Sequence, residues 1–268
     1  AEPIPDTHLN LCEIDAGTHN SEFKQLENGL VQVVCGAPNV HAGMLAVWIA
    51  PGAIVPETYG NENFRISTRK LQGYESNGML AGADELCFDD EHKSIAEIDP
   101  KFAQPGDNFA EVFGLNDLII DVENKSLTHR PDCFGLIGFA REVAGSLGVK
   151  FQEPEWPELA AAHDLPISIK ITDKDLCPRY SCAVFDAPHH ERSKYLTLDD
   201  IFLAKAGMRS IDPLVDLTNI LMLETGQPLH AFDYDKLIAV GGTDKPQIIV
   251  RAAADGEELQ LLDGKVIK

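Results

Sequence analysis

The chain has 268 residues, 44% hydrophobic and 24% charged, proportions of an ordinary soluble globular protein with room for two domains of roughly 100–200 residues. No run approaches the roughly 18 to 20 apolar residues of a bilayer span, and the opening AEPIPDTHLN lacks the basic start and apolar core of a signal peptide, so a cytoplasmic protein with no membrane contact is expected. The net charge is −21, with 19 acidic and 6 basic residues among residues 1–120; without a Lys/Arg cluster to displace counterions, RNA contact by this stretch alone is expected to be weak.

In chain order, residues 10–115 read as all-β. The runs 30–34 (LVQVV) and 45–49 (LAVWI) are bounded by Gly36, Pro38, Pro51-Gly52 and Asn77-Gly78, which is strand and turn chemistry and predicts a small barrel or sandwich. Residues 101–108 (KFAQPGDN) read as a loop. From 129 to 148 the spacing of Ile137, Ala140, Val143, Ala144 and Leu147 predicts a helix, with Asp132 as N-cap and Gly148 as the stop. The Pro-rich stretch 153–157 (EPEWP) then reads as a linker and domain boundary. Beyond it, alternating Ile167, Ile169 and Ile171 predict a strand, and residues 179–185 a second one. Thr197 and Asp200 predict a capped helix closed by Gly207. Asp212-Pro213 opens another that ends at Gly226. Residues 247–252 and 258–262, around Asp255-Gly256, are expected to pair as a hairpin, with a further turn at Asp263-Gly264. The chain stops soon after that turn, which suggests a truncation. Six cysteines without any C-x-x-C spacing argue against a zinc ribbon and read as reduced, mostly buried residues.

Three segments together resemble a known family. VVCGAPNVHAGMLAVWIAPGA (33–53) and KLQGYESNGMLAG (70–82) are similar to the OB-fold module near the N-terminus of bacterial phenylalanyl-tRNA synthetase beta subunits. HRPDCFGLIGFAREVAGSLG (129–148) resembles the stretch that follows that module. RYSCAVF (179–185), GMRSIDPLVDLTNILMLETGQPLHAFDYDKL (207–237) and VRAAADGEELQLLDGK (250–265) resemble the start of the same subunit's editing domain. The resemblance implies an α+β multidomain chain, an OB-fold β-barrel followed by a mixed α/β editing-domain portion. Its parts would be an OB module over 1–118, a helical connector over 119–152, and the N-terminal part of a B3/B4-type editing domain over 153–268. It also implies an (αβ)₂ enzyme that charges tRNA(Phe) with phenylalanine using ATP and Mg²⁺. In that family activation occurs on the alpha subunit, so neither cofactor is expected on this segment.

The chemistry implied for the beta subunit is hydrolytic editing of tyrosyl-tRNA(Phe). A pocket shaped for phenylalanine rejects an analogue with one extra hydroxyl by only about 10²-fold, so a second, hydrolytic site is physically motivated. By family matching Thr218, Asn219 and His230 are the candidate catalytic residues, and Arg209 a candidate for binding the tRNA's terminal phosphates. Each has a local alternative: Thr218 and Asn219 bonded within their helix, His230 structural after its Pro turn, Arg209 paired with the acidic helix start. The OB module, whose basic cluster is Arg65, Arg69 and Lys70, reads as a scaffold or protein-contact surface before an RNA binder. Two other readings stand beside this one, a non-enzymatic tRNA-binding OB protein and a stand-alone trans-editing hydrolase.

Overall fold

The computed structural model describes residues 1–89, 94–158, 166–186, 191–261 and 264–268. The chain divides into two units, 1–148 with 190–229 and 149–189 with 230–268, and each is taken by itself.

The first unit begins with a three-stranded antiparallel sheet: β1 (Glu2–Pro3), β2 (Asn10–Ile14) and β3 (Val31–Cys35), with Cys12 opposite Val33 and Ile14 opposite Val31. The period-2 pattern of β3 sends Val31 and Val33 to full burial, with Cys35 beside them. Two short pieces follow, β4 (Leu45–Ala46) and β5 (Trp48–Ile49), so residues 45–49 form two strands where the sequence predicts one. After these come β6 (Arg69–Leu71), β7 (Tyr74–Ser76), β8 (Met79–Leu80) and β9 (Glu97–Ile98). β4 pairs with β9, β5 with β8 and β6 with β7, all antiparallel. The segment after β7 lies along β3 through mixed bonds: Asn77 N–H donates to Gln32 O (2.9 Å) and Val34 N–H to the Ser76 hydroxyl (3.0 Å). Among the described residues these pairings form small separate sheets and do not close into a barrel.

Between β7 and β8 the chain turns at Gly78, φ +96°, where a Cβ would overlap Trp48 Nε1 and approach Ile49 O at 2.5 Å. Glycine is required there for space and for backbone. The core beneath these strands contains Ile49, Val55, Ile66, Ala81, Phe88, Ile98 and Phe113. A short helix, α1 (Phe109–Val112), is capped by Asn108, which accepts from Glu111 N–H. Phe109 lies 5.0 Å from Phe113.

The predicted helix over 129–148 is α2 (Leu136–Leu147), and Gly148 closes it at φ +68°. Asp132, however, is not its N-cap. The Arg130 guanidinium takes both Asp132 oxygens (2.9 and 2.8 Å) and also Glu142 (3.0 Å). With the carboxylate so occupied, a 3-10 turn over Pro131–Phe134 intervenes and Gly135 becomes the cap. The later segment of this unit adds α3 (Leu198–Lys205) and α4 (Pro213–Thr225). Thr197 and Asp200 form the predicted capping box reciprocally. α3 is held through Leu203 and Ile201, both buried, and through Lys205, which donates to Gly114 O (2.7 Å). Just before it, Glu97, buried to 7% exposure, accepts from Lys194 Nζ (2.9 Å).

The second unit contains β10 (Ser168–Ile171), α5 (Tyr234–Gly241), β11 (Gln247–Val250), β12 (Leu259–Gln260) and β13 (Val266–Ile267). The hairpin expected from 247–252 and 258–262 does not form. β11 pairs in parallel with β10, Ile169 opposite Ile248 and Ile171 opposite Val250, which gathers the half-buried residues of both alternating strands on one face. A bidentate ion pair, Arg251 with Glu257 (2.6 and 2.7 Å), closes the loop at Asp255-Gly256 instead. β12 pairs with β13 across the further predicted turn, in which Leu262 and Asp263 lie outside the described residues. Residues 179–185 form no strand among the described residues, and Arg179 Nε bonds locally to Ser181 Oγ (3.2 Å). The mixed α and β character predicted for the whole chain is what the two units show.

The cysteines are free. Only Cys12 and Cys35 are buried; Cys133 and Cys177 are half-buried and Cys87 and Cys182 exposed, against the expectation of mostly buried thiols. Burial pushes the Cys12 thiol up to about 11, with the neighbouring Cys35 adding to the effect. Among the described residues no helix is long and apolar enough to cross a membrane.

Candidate functional site

The candidate residues are strung along α4 and the chain on either side of it. α4 starts where the sequence predicts. Asp212 accepts from Leu214 N–H (3.0 Å), Pro213 occupies the first turn, where its missing N–H costs nothing, and Gly226 ends the helix at φ +75°. Thr218 has the local arrangement, its hydroxyl donating to Val215 O at 2.7 Å. Asn219 follows directly. Adjacent helical positions do not face each other, so the two side chains point apart. Asn219 is half-buried, and among the described residues its side chain makes no hydrogen bond.

Arg209 lies in the connection between α3 and α4, with its side chain exposed. His230 is also exposed; it opens the later segment of the second unit, its ring 6.3 Å from that of Phe232. The structure thus groups Arg209, Thr218 and Asn219 in one helix and its entry loop, and assigns His230 to the other unit. The chemistry available is a guanidinium for anions, an amide that both donates and accepts, and an imidazole able to move a proton near neutral pH.

Two features of this region escape motif reasoning. Asp216, the one buried residue of α4, turns back to the entry loop: one carboxylate oxygen accepts from the Ser210 hydroxyl (2.6 Å), the other from Ile211 N–H (2.8 Å). A lone acid in the first turn of a mostly apolar helix was the available signal. The second feature is where α4 ends. A Cβ on Gly135 would overlap the backbone of Thr225 and Gly226, so the start of α2 and the end of α4 meet backbone to backbone. Beside that junction, hydrogen bonds from Arg130 hold the Asp132 carboxyl below the usual carboxylate range, and Asp132 and then Glu142 hold the guanidinium above its own. Among the described residues no three His, Cys, Asp or Glu side chains converge as a metal site.

Residues 176–268, which include α3, α4 and the candidate residues, match the B3/4 domain family. The similarity to individual proteins is wider. The chain is 39% identical over 240 residues to the phenylalanine–tRNA ligase beta subunit of Yersinia pestis, covering 89% of this chain and 28% of that one. It is 37% identical over 268 residues to that of Desulfotalea psychrophila (98% and 29%), and 35% over 274 residues to that of Synechococcus sp. (99% and 31%). The chain belongs to the phenylalanine–tRNA ligase beta subunit family, and it spans about 30% of the length of these relatives.

Proposed function

We propose that this chain serves in a phenylalanine–tRNA ligase, as the part of the beta subunit that includes the opening of a proofreading domain. The observation that carries the reading is similarity to beta subunits along 89–99% of the chain. In this reading residues 1–118 are an OB-fold module, 119–152 a connector and 153–268 the N-terminal part of the editing domain. The partners are the alpha subunit, in an (αβ)₂ assembly, and tRNA(Phe), in the cytoplasm. ATP and Mg²⁺ serve the charging reaction on the alpha subunit. The donor sets among the described residues do not fit a metal ion.

The activity proposed for this region is hydrolysis of tyrosyl-tRNA(Phe). Water attacks the ester carbonyl carbon, the bond to the terminal ribose oxygen breaks, and tyrosine and free tRNA leave. By family matching, and with no placement against α4 implied, His230 of the second unit moves the proton of the attacking water to the leaving ribose oxygen. Asn219 donates from its amide to the ester or to the tyrosine hydroxyl, Thr218 lines the same helix, and Arg209 meets the terminal phosphates. Among these, the unengaged side chain of Asn219 and the exposure of His230 and Arg209 support the assignment. The Thr218–Val215 bond makes Thr218 the weakest member.

The test is to assemble the full-length subunit with its alpha partner and follow release of tyrosine from tyrosyl-tRNA(Phe). Wild type is expected to hydrolyse it and His230→Ala to lose on the order of 10²-fold in rate, the scale of one general acid–base group. Normal hydrolysis by the variant refutes the role of His230.

A further inference from the structure

We infer that Asp216 and Ser210 are positioning residues that set the approach of Arg209 to a phosphate of the bound nucleic acid; the identity of that ligand rests on the reading above. The inference starts from how the chain around Arg209 is held. Upstream, α3 is anchored by the fully buried Leu203, and Met208 N–H donates to Leu203 O (2.9 Å) just past the helix end. Gly207, at φ +74°, makes that reversal possible. Downstream, Asp216 ties both residues that follow Arg209, Ser210 through its hydroxyl and Ile211 through its N–H. The backbone on each side of Arg209 is therefore pinned, while its side chain stands exposed.

This bracing is not needed to start the helix. Asp212 already caps α4, and Pro213 fills the first turn. Ser210 and Asp216 are 4% and 6% exposed, and withdrawing a carboxylate from water costs several kcal/mol unless its oxygens are satisfied. Here two hydrogen bonds and the helix N-terminus satisfy them, and both bonds reach the 206–211 loop rather than α4 itself. The one charged side chain in that loop is Arg209. A guanidinium reads phosphate through a planar, two-pronged geometry, and a misplacement of about 1 Å in such a contact can cost on the order of 10²-fold. In a chain of net charge −21, a cation whose backbone is fixed on both sides is a means of gaining directed contact where general attraction is absent.

The experiment measures tRNA(Phe) binding by the full-length subunit assembled with its alpha partner, over a range of salt, for Arg209→Ala, Ser210→Ala, Asp216→Asn and the double variants with Arg209→Ala. Arg209→Ala is expected to lower the slope of log affinity on log salt by about 0.7, one phosphate contact to a single strand. Ser210→Ala is expected to weaken binding about fivefold to tenfold, the loss of one buried hydrogen bond, and to have no further effect when Arg209 is already alanine. Asp216→Asn, which keeps an acceptor for Ile211 N–H and a polar group for Ser210, is expected to bind like wild type. Full additivity of Ser210→Ala and Arg209→Ala, or unchanged affinity in Ser210→Ala, overturns the inference. Wild-type assembly that shows this coupling yet fails to hydrolyse tyrosyl-tRNA(Phe) would sink the proofreading reading and leave the positioning role standing.

Discussion

The junction of α2 and α4 gives a prediction whose size can be worked from two glycines of one helix region. Gly135 has an ordinary extended backbone, φ −125°, so alanine there suffers no conformational strain. Its new methyl would overlap Gly226 N and the Thr225 carbonyl carbon and lie 2.8 Å from Glu224 O. These are backbone atoms, and Gly226 is itself confined by Pro131 O, so α4 cannot retreat locally. Overpacking costs about 1–3 kcal/mol, and an unyielding backbone places Gly135→Ala near the upper figure. Reduced freedom of the unfolded chain returns about 0.4–1 kcal/mol, for a net loss of about 2–3 kcal/mol. Gly145, inside α2, is the control, because a methyl added there would meet nothing within 4 Å. Alanine at that position should stabilise by about 0.5–1 kcal/mol through helix propensity. Urea unfolding followed by far-ultraviolet circular dichroism reads both, with a shifted midpoint and unchanged slope. Equal stability of Gly135→Ala and Gly145→Ala would refute the close meeting of the two helices, and with it the placement of the end of α4.

Two further predictions concern single groups. Hydrogen bonds from Arg251 and from Ala254 N–H hold the Glu257 carboxyl at about 2, below its ordinary 4.5. A depressed folded value means the pair's contribution is complete above about 4.5 and is lost as pH falls towards about 2. Carboxyl titration by NMR should show that midpoint, and Arg251→Ala should return Glu257 towards its ordinary value; a normal midpoint in the wild type contradicts the bidentate pair. Among the thiols, Cys182 should react with iodoacetamide at neutral pH in the native protein. Cys12, buried and pushed up to about 11, should react only after denaturation, as mass spectrometry of the labelled peptides would show. Native labelling of Cys12 as fast as that of Cys182 would mean that β2 is not covered.

The elements that were legible in the sequence are those fixed by local chemistry. The Thr197–Asp200 box, the Asp212-Pro213 start and the Gly148 and Gly226 stops depend on residues within a turn of one another, and all four occur. α5 uses the same grammar, Asp233 at its start and Gly242 at its end, and could have been found the same way. Partner choice was not legible. Nothing local tells β11 to pair with β10, which is 79 residues away in register, rather than with its neighbour β12. Asp132 shows the related failure: it is a sound N-cap by type, but Arg130 and Glu142 form a network that claims it first. For the candidate site, resemblance identified Arg209, Thr218, Asn219 and His230, while the Ser210–Asp216 brace became visible only as a buried pair with short distances.

The most direct test of the central claim is accumulation of tyrosyl-tRNA(Phe) by the full-length subunit assembled with its alpha partner, given tyrosine, ATP and tRNA(Phe). The account predicts that Asn219→Ala and His230→Ala assemblies accumulate the mischarged product while charging phenylalanine at the wild-type rate. Variants that remain free of mischarged tRNA, with tyrosine activation intact, would contradict it and reduce α4 and the residues after it to a structural role.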